Sequence, residues 1–242
     1  MMSRDIPKTG SNLTTISTLE HIQNYSMRLA SATDKETLYK HCLSLTKQIL
    51  QLDYCTLFLL DEVGESLVLR ATDGLPDDLV DSLTLDNDLG LPCYVLETGQ
   101  AETVVDFSKE TRFIVTAIPS RMGICSSIAA PMVVSEKIFG VLIGHTNIMR
   151  IFTDEEKLVF QVLANHAAIA INNMIHIESL NLSEKKREKK IQELLLEKEK
   201  GRERSFEFES IFSNMMIGVI LLREGHYLAR CNQKFAEMFG YS

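Results

Sequence analysis

The stretch CSSIAAPMVVSEKIFGVLIGHT, residues 125–146, decides the fold. It contains two apolar segments, 125–134 and 137–146, each of strand length and separated by a short polar turn. Toward the N-terminus, YCTLFLLD (54–61) is apolar on both alternations, which predicts a central strand covered on two faces. DEVGES then supplies turn residues, and SLVLRAT (66–72) returns as the next strand of a hairpin with Gly64 in its loop.

Helices flank these strands. Ser17 and Glu20 have capping-box spacing, followed by the helical stripe Leu19, Ile22, Ser26 and Leu29. Thr33 and Glu36 repeat the device before a second helix, whose Leu38, Cys42, Leu45 and Ile49 share one face. Between the two strand pairs lies a less regular region. There Pro92 suits the first turn of a short helix, CYVLET, that Gly99 closes, and ETVVDF reads as a short strand. Residues 1–16 are polar and aperiodic, and are expected to be disordered.

On the C-terminal side, FTDEE opens a helix with Thr153 as N-cap and acidic residues where the helix dipole favours them. No Gly or Pro occurs from Asp154 to Lys200. An unbroken helix over that stretch extends about 70 Å at ~1.5 Å per residue, more than a compact domain covers. Its second half, NLSEKKREKKIQELLLEKEKGRERS (181–205), is charged and has its first turn signal at Gly201. Ile177, Leu180, Ile191 and Leu194 fall on a heptad seam that Glu184, Arg187 and Lys198 interrupt, so pairing of two such helices is weak in the middle. Lys185 and Lys189 repel four apart, while Glu184 with Arg187 and Glu199 with Arg202 attract three apart.

Composition narrows the classes. The 242 residues are 45% hydrophobic with a net charge of −8, which fits a folded acidic protein and points to neither nucleic acid nor an anionic membrane as partner. No apolar run approaches the roughly 18 residues that span a bilayer, and the N-terminus is too polar for a signal-peptide core. A cytoplasmic location is expected. The five cysteines are scattered without Cys-x-x-Cys spacing or a nearby histidine cluster, so neither a disulfide framework nor a metal site is assigned.

Several segments together resemble the GAF domain family of small-molecule-sensing modules. VVDFSKETRF (104–113) resembles the family's aspartate and arginine-phenylalanine segment. GICSSIAAP (123–131) resembles its Gly-x-x-Ser strand, with Pro131 five residues after Ser126. GVLIGHTN, FTDEE and LANHAAIAINN follow in the family's order. The resemblance implies an α+β fold, a GAF-like antiparallel β-sheet flanked by helices. The stretch 208–242 is similar to the opening of a PAS domain, with Gly218, Asn232, Phe235 and the terminal Phe239-Gly240-Tyr241-Ser242 at familiar places. That resemblance stops before the remaining PAS strands, so 206–242 is not expected to form the usual PAS core, and the chain reads as part of a larger protein. The expected organisation is a disordered 1–16, a GAF sensor at 17–178, a charged signalling helix or coiled-coil linker at 179–205 and a partial PAS segment at 206–242.

The resemblance also implies a ligand pocket between the sheet and the loop-rich middle, with Tyr94, Asp106, Arg112, Phe113, Cys125 and Ser126 near it. Each has a structural alternative: Asp106 as a loop cap, Arg112 as a surface ion pair, Phe113 as core, Ser126 as a strand-edge hydrogen-bonding group. The ligand reading belongs to the group taken together. Cyclic-nucleotide-binding members carry an Asn-Lys…Phe…Asp-Glu motif; Phe152 fits it, but His145-Thr146-Asn147 and Glu156-Lys157 do not reproduce its ends. Covalent bilin attachment normally uses a Cys-His dipeptide, and the chain has none. The cofactor is therefore left unknown.

Some compact family members reduce free methionine sulfoxide. Cys93 beside Pro92 resembles one of their cysteines, and a helix N-terminus lowers a thiol pKa, but Cys125 lies closer to Pro131 than their catalytic cysteine does. No catalytic residue is assigned. His166 stands in place of the more typical glutamine, ten residues before His176; a haem ligand, a pH switch and a hydrogen-bonding residue are its readings. The expected role is a regulatory module that binds an unidentified small molecule and forms a homodimer through His166, Ala170, Ile177, Leu180, Ile191 and Leu194. Its signal would travel along the stiff helix to an output module. By family analogy that output is a diguanylate cyclase (GGDEF) making cyclic di-GMP, with a histidine kinase as the alternative. A dimerisation module without ligand is the structural alternative.

Overall fold

Strand β1 (Lys8–Thr9) and helices α1 (Thr15–Ala30) and α2 (Lys35–Leu50) lead the chain. The computed structural model describes residues 8–9, 15–61, 63–64, 66–85, 89–223 and 227–240. Most of the expected disordered N-terminus lies outside the described residues, as do Tyr241 and Ser242 of the PAS-like ending. Helix α1 already runs at Thr15, so Ser17 sits within it and does not cap it. The cap of α2 is Asp34, one residue beyond the expected Thr33; its carboxylate accepts from the Thr37 amide at 2.8 Å, as an N-cap side chain should.

Strand β2 (Tyr54–Leu60) is buried at each of residues 55–59, as its two-sided apolar sequence requires. It pairs with β3 (Leu67–Asp73), which in turn pairs with the short β4 (Thr84–Leu85). Helix α3 (Gly90–Thr98) ends at Gly99, whose φ of 65° suits a residue without Cβ. Next come β5 (Glu102–Val104), the one-turn helix α4 (Ile118–Arg121), β6 (Ser126–Val134), β7 (Lys137–Thr146) and β8 (Arg150–Ile151). The large sheet has the order β4-β3-β2-β7-β6-β5, antiparallel throughout, while β1 pairs in parallel with β8. Two apolar layers sandwich this sheet. Tyr25, Leu38, Leu43, Leu57, Leu142 and Phe160 belong to the layer with α1, α2 and the next helix; Phe58, Leu69, Leu91, Val95, Ala129 and Ile143 belong to the layer under α3 and the loops.

Helix α5 runs unbroken from Asp154 to Asn214, a span of 61 residues. It passes through Gly201, where the sequence signalled a turn. Its N-terminal part buries Phe160, Leu163, Ala164, Ala167, Ala168 and Ile171, a stripe at three- and four-residue spacing that faces the sheet. By length and composition alone this helix is apolar enough to cross a membrane, although Gln161, Asn165, His166, Asn172 and Asn173 interrupt its apolar run. Packing explains much of the apolarity, because that stripe is core.

The chain divides into two compact units between Ile177 and Glu178. The second unit holds the rest of α5, the antiparallel pair β9 (Ile220–Arg223) and β10 (Tyr227–Cys231), and α6 (Gln233–Met238). Asn232 organises it. The side chain accepts from the Val219 amide at 2.8 Å and the Phe235 amide at 3.1 Å, and donates to the Ile217 carbonyl at 2.9 Å.

Candidate functional site

The alternation of strand side chains puts Thr56 of β2 and His145 of β7 at one end of the loop-side face of the sheet. His145 lies in register opposite Tyr54 and Ser127. Its Nδ1 is 2.7 Å from Ser127 Oγ and its Nε2 3.3 Å from Thr56 Oγ1. Burial pushes the imidazole pKa down to about 4, so the ring is neutral near pH 7, with one nitrogen donating and the other accepting. Thr56 and His145 close the polar end of a cavity of about 60 Å³. Phe58, Leu69 and Ile143 line it from the sheet, and Phe107, Phe113 and Ile124 from the cover.

Of the six ligand candidates nominated by the sequence, Phe113 lines this cavity. Tyr94 and Arg112 meet Phe113 in a separate open groove of about 870 Å³. There the Tyr94 and Phe113 rings are 5.6 Å apart and the Arg112 guanidinium is 5.3 Å from the Tyr94 ring centre. Arg112 makes four side-chain hydrogen bonds. It donates to Glu110 from Nε and Nη2 at 3.0 and 2.7 Å, to Glu102 at 2.8 Å and to the Thr103 carbonyl at 2.7 Å. The side-chain hydrogen bonds from Arg112 hold the Glu110 carboxyl down at about 2. This network ties the loop to β5.

Asp106 caps the single turn Phe107–Lys109, accepting from the Ser108 hydroxyl at 2.6 Å and its amide at 2.9 Å. Those bonds, the hydroxyl's first, lower its pKa. Cys125 Sγ donates to the Asn147 carbonyl at 3.0 Å. Ser126 Oγ donates to the Val105 carbonyl at 2.5 Å and accepts from the Arg150 amide at 2.9 Å. Cys93 is buried in the first turn of α3. Asp106, Cys125 and Ser126 therefore lie outside the cavity lining, each bonded within the protein.

The residues missed by sequence reading are Thr56, Ser127 and His145. A signal existed: polar side chains interrupt otherwise apolar central strands, and Thr56 and His145 fall on the face that the neighbouring Phe58 and Ile143 share.

A buried ion pair anchors the start of α5. Arg150 Nη2 is 2.5 Å from Glu156 Oε1, and Arg150 Nη1 donates to the carbonyls of Leu50 at 2.8 Å and Gln51 at 3.1 Å. Glu156 Oε2 accepts from the Thr153 amide at 2.9 Å while Thr153 Oγ1 accepts from the Glu156 amide at 3.1 Å, a reciprocal capping box. Ser126 thus bonds to Arg150, and its chain neighbour Ser127 to the cavity histidine.

Farther along α5, His166 Nδ1 is 2.8 Å from Ser26 Oγ. His166, Ala170 and Ile177 line a groove of about 360 Å³ between α1 and α5. Leu180, Ile191 and Leu194 are exposed in the single chain, Leu180 at 64%.

Comparison with known proteins gives a consistent result. The GAF domain family matches residues 34–171, more than half of the chain. A GAF domain of a phosphoenolpyruvate-protein phosphotransferase from Coxiella burnetii is similar at 23% identity and a TM-score of 0.62, covering 70% of this chain and 99% of that one. The corresponding Acinetobacter domain is 17% identical with a TM-score of 0.61, covering 69% and 99%. The free methionine-R-sulfoxide reductase of Neisseria meningitidis, solved with its substrate, is 16% identical with a TM-score of 0.59, covering 71% and 98%. At these identities the likeness is one of fold. No curated protein matches the chain.

Proposed function

Because this chain belongs to the GAF domain family, we propose that it is the sensing and dimerising part of a signal-transduction protein, binding a small molecule and passing the change along α5. The observation that carries this reading is the adjacency of cavity and helix anchor. His145 at the cavity bonds to Ser127, and the preceding residue, Ser126, bonds to the Arg150 amide. Arg150 holds Glu156 in the first turn of α5. A ligand that moves His145 therefore acts one residue away from Ser126, which bonds to the main chain of Arg150, and the buried ion pair of that residue has few alternative arrangements.

In this reading α5 pairs with its copy in a homodimer. The exposed seam of Ile177, Leu180, Ile191 and Leu194, continued by Ala170 and His166, supports that pairing. The stretch 206–242 is read as the opening of a PAS domain, with Asn232 as the polar brace of its first hairpin. The output is assigned to a downstream diguanylate cyclase, and the module acts away from membranes and nucleic acid. Similarity in fold to a phosphotransferase GAF domain and to part of a methyl-accepting chemotaxis protein is compatible with a regulatory role.

Native mass spectrometry of the full chain tests sensing and dimerisation in one spectrum. A dimer carrying extra small-molecule mass is the expected result. A bare dimer favours the ligand-free dimerisation module, and a bare monomer removes the direct support for both.

A further inference from the structure

We propose that the cavity takes a compact, uncharged molecule: an apolar body of few heavy atoms carrying one hydrogen-bonding group that sits at the Thr56–His145 end. This rests on the sensing reading above and narrows it to a ligand class.

The lining decides the class. Among the described residues that form the cavity there is no Asp, Glu, Lys or Arg, and the polar side chains are Thr56, Thr116 and His145. A carboxylate or phosphate placed there would be desolvated without a countercharge, a cost of several kcal/mol or more. His145 carries no such charge near neutrality in this fold, since burial pushes its pKa down. Size points the same way. The cavity of about 60 Å³ holds a few water-sized atoms, less than the ~150 Å³ that takes benzene and far below the ~300 Å³ at which drug-sized sites begin.

The polar end supplies orientation. Ser127 fixes one imidazole nitrogen with a 2.7 Å bond, whereas Thr56 reaches the other at a longer 3.3 Å. The shorter bond sets the ring, and the longer one is the weaker contact for an incoming hydroxyl to replace. A hydroxyl both donates and accepts, which matches a neutral histidine nitrogen beside a threonine hydroxyl in either tautomer. Short branched alcohols are the simplest members of this class.

The test uses the full chain with labelled isoleucine methyls and histidine nitrogens, titrated at pH 7 with isobutanol, isopentane, isobutyrate and cyclic GMP. Isobutanol is expected to shift the Ile124 and Ile143 methyls and the His145 ring nitrogens saturably, while isobutyrate and cyclic GMP leave them in place. Thr56→Val, which conserves volume, is expected to weaken isobutanol about fivefold and leave isopentane unchanged. Its thermal unfolding, measured in parallel, verifies that the variant is folded. Saturable binding of isobutyrate or cyclic GMP at these signals overturns the uncharged class and leaves sensing intact. Equal affinity for isobutanol and isopentane, indifferent to Thr56→Val, overturns the role of the polar end. Silence from all four probes also overturns the class; the native mass measurement presumes no ligand chemistry and then decides sensing by itself.

Discussion

A histidine buried between two hydroxyls gives this domain a defined response to acid. The His145 pKa lies at about 4 in the fold against 6.5 for the free side chain, because burial disfavours the charged ring. Above pH 6.5 both folded and unfolded forms are neutral and the stability is fully present. As pH falls from 6.5 toward 4 the unfolded chain takes up the proton first, so stability falls, by about 3 kcal/mol in total. Chemical denaturation across that window should show this loss, and His145→Gln should flatten it. Glu110 acts lower, from its ordinary 4.5 down to about 2, with stability again falling as pH falls, so the two windows overlap only between about 4 and 4.5. Arg112→Ala leaves Glu110 without its principal partner. It should raise the Glu110 pKa toward the ordinary value, seen in a carboxyl NMR titration, and loosen the loop over β5.

At the scale of elements, α5 depends on how it begins and on what interrupts it. Removing one side of the buried Arg150–Glu156 pair strands the other charge, so Glu156→Ala should cost about 3–5 kcal/mol in urea denaturation. A paired Arg150→Met, Glu156→Leu replacement should recover much of that loss, since two apolar side chains leave no unpaired charge. Gly201 is the opposite case. A Cβ there meets nothing within 4 Å, and the residue lies inside a continuous helix. Gly201→Ala should therefore raise helix stability by ~1 kcal/mol, read as increased helical circular dichroism on heating. On β7, a Cβ at Gly140 would run into the Phe58 carbonyl, so Gly140→Ala should destabilise the sheet by forcing β2 and β7 apart.

For the whole molecule the central prediction concerns pairing. If α5 joins its copy along the proposed seam, Leu180→Cys and Ile191→Cys should each form an interchain disulfide under mild oxidation. Absence of both products counts against a parallel dimer.

The sequence by itself determined the elements, because hydrophobic period and turn chemistry are local. The strands at β2, β3, β6 and β7, the Gly99 stop of α3 and the Thr153 start of α5 all follow from neighbours within a few residues. The order of family-like motifs carried the GAF resemblance, and the resemblance implied the fold. Which side chains meet across the sheet was decided only by the tertiary structure. Ser126 and Ser127 are one residue apart, yet one bonds to the backbone beside α5 and the other to the cavity histidine, since adjacent strand residues face opposite sides. Arg112 and Asp106, nominated by the family resemblance, hydrogen-bond to residues of their own loop. Thr56 and His145, 89 positions apart in the chain, became a pair through strand register, a long-range choice that no local pattern contains.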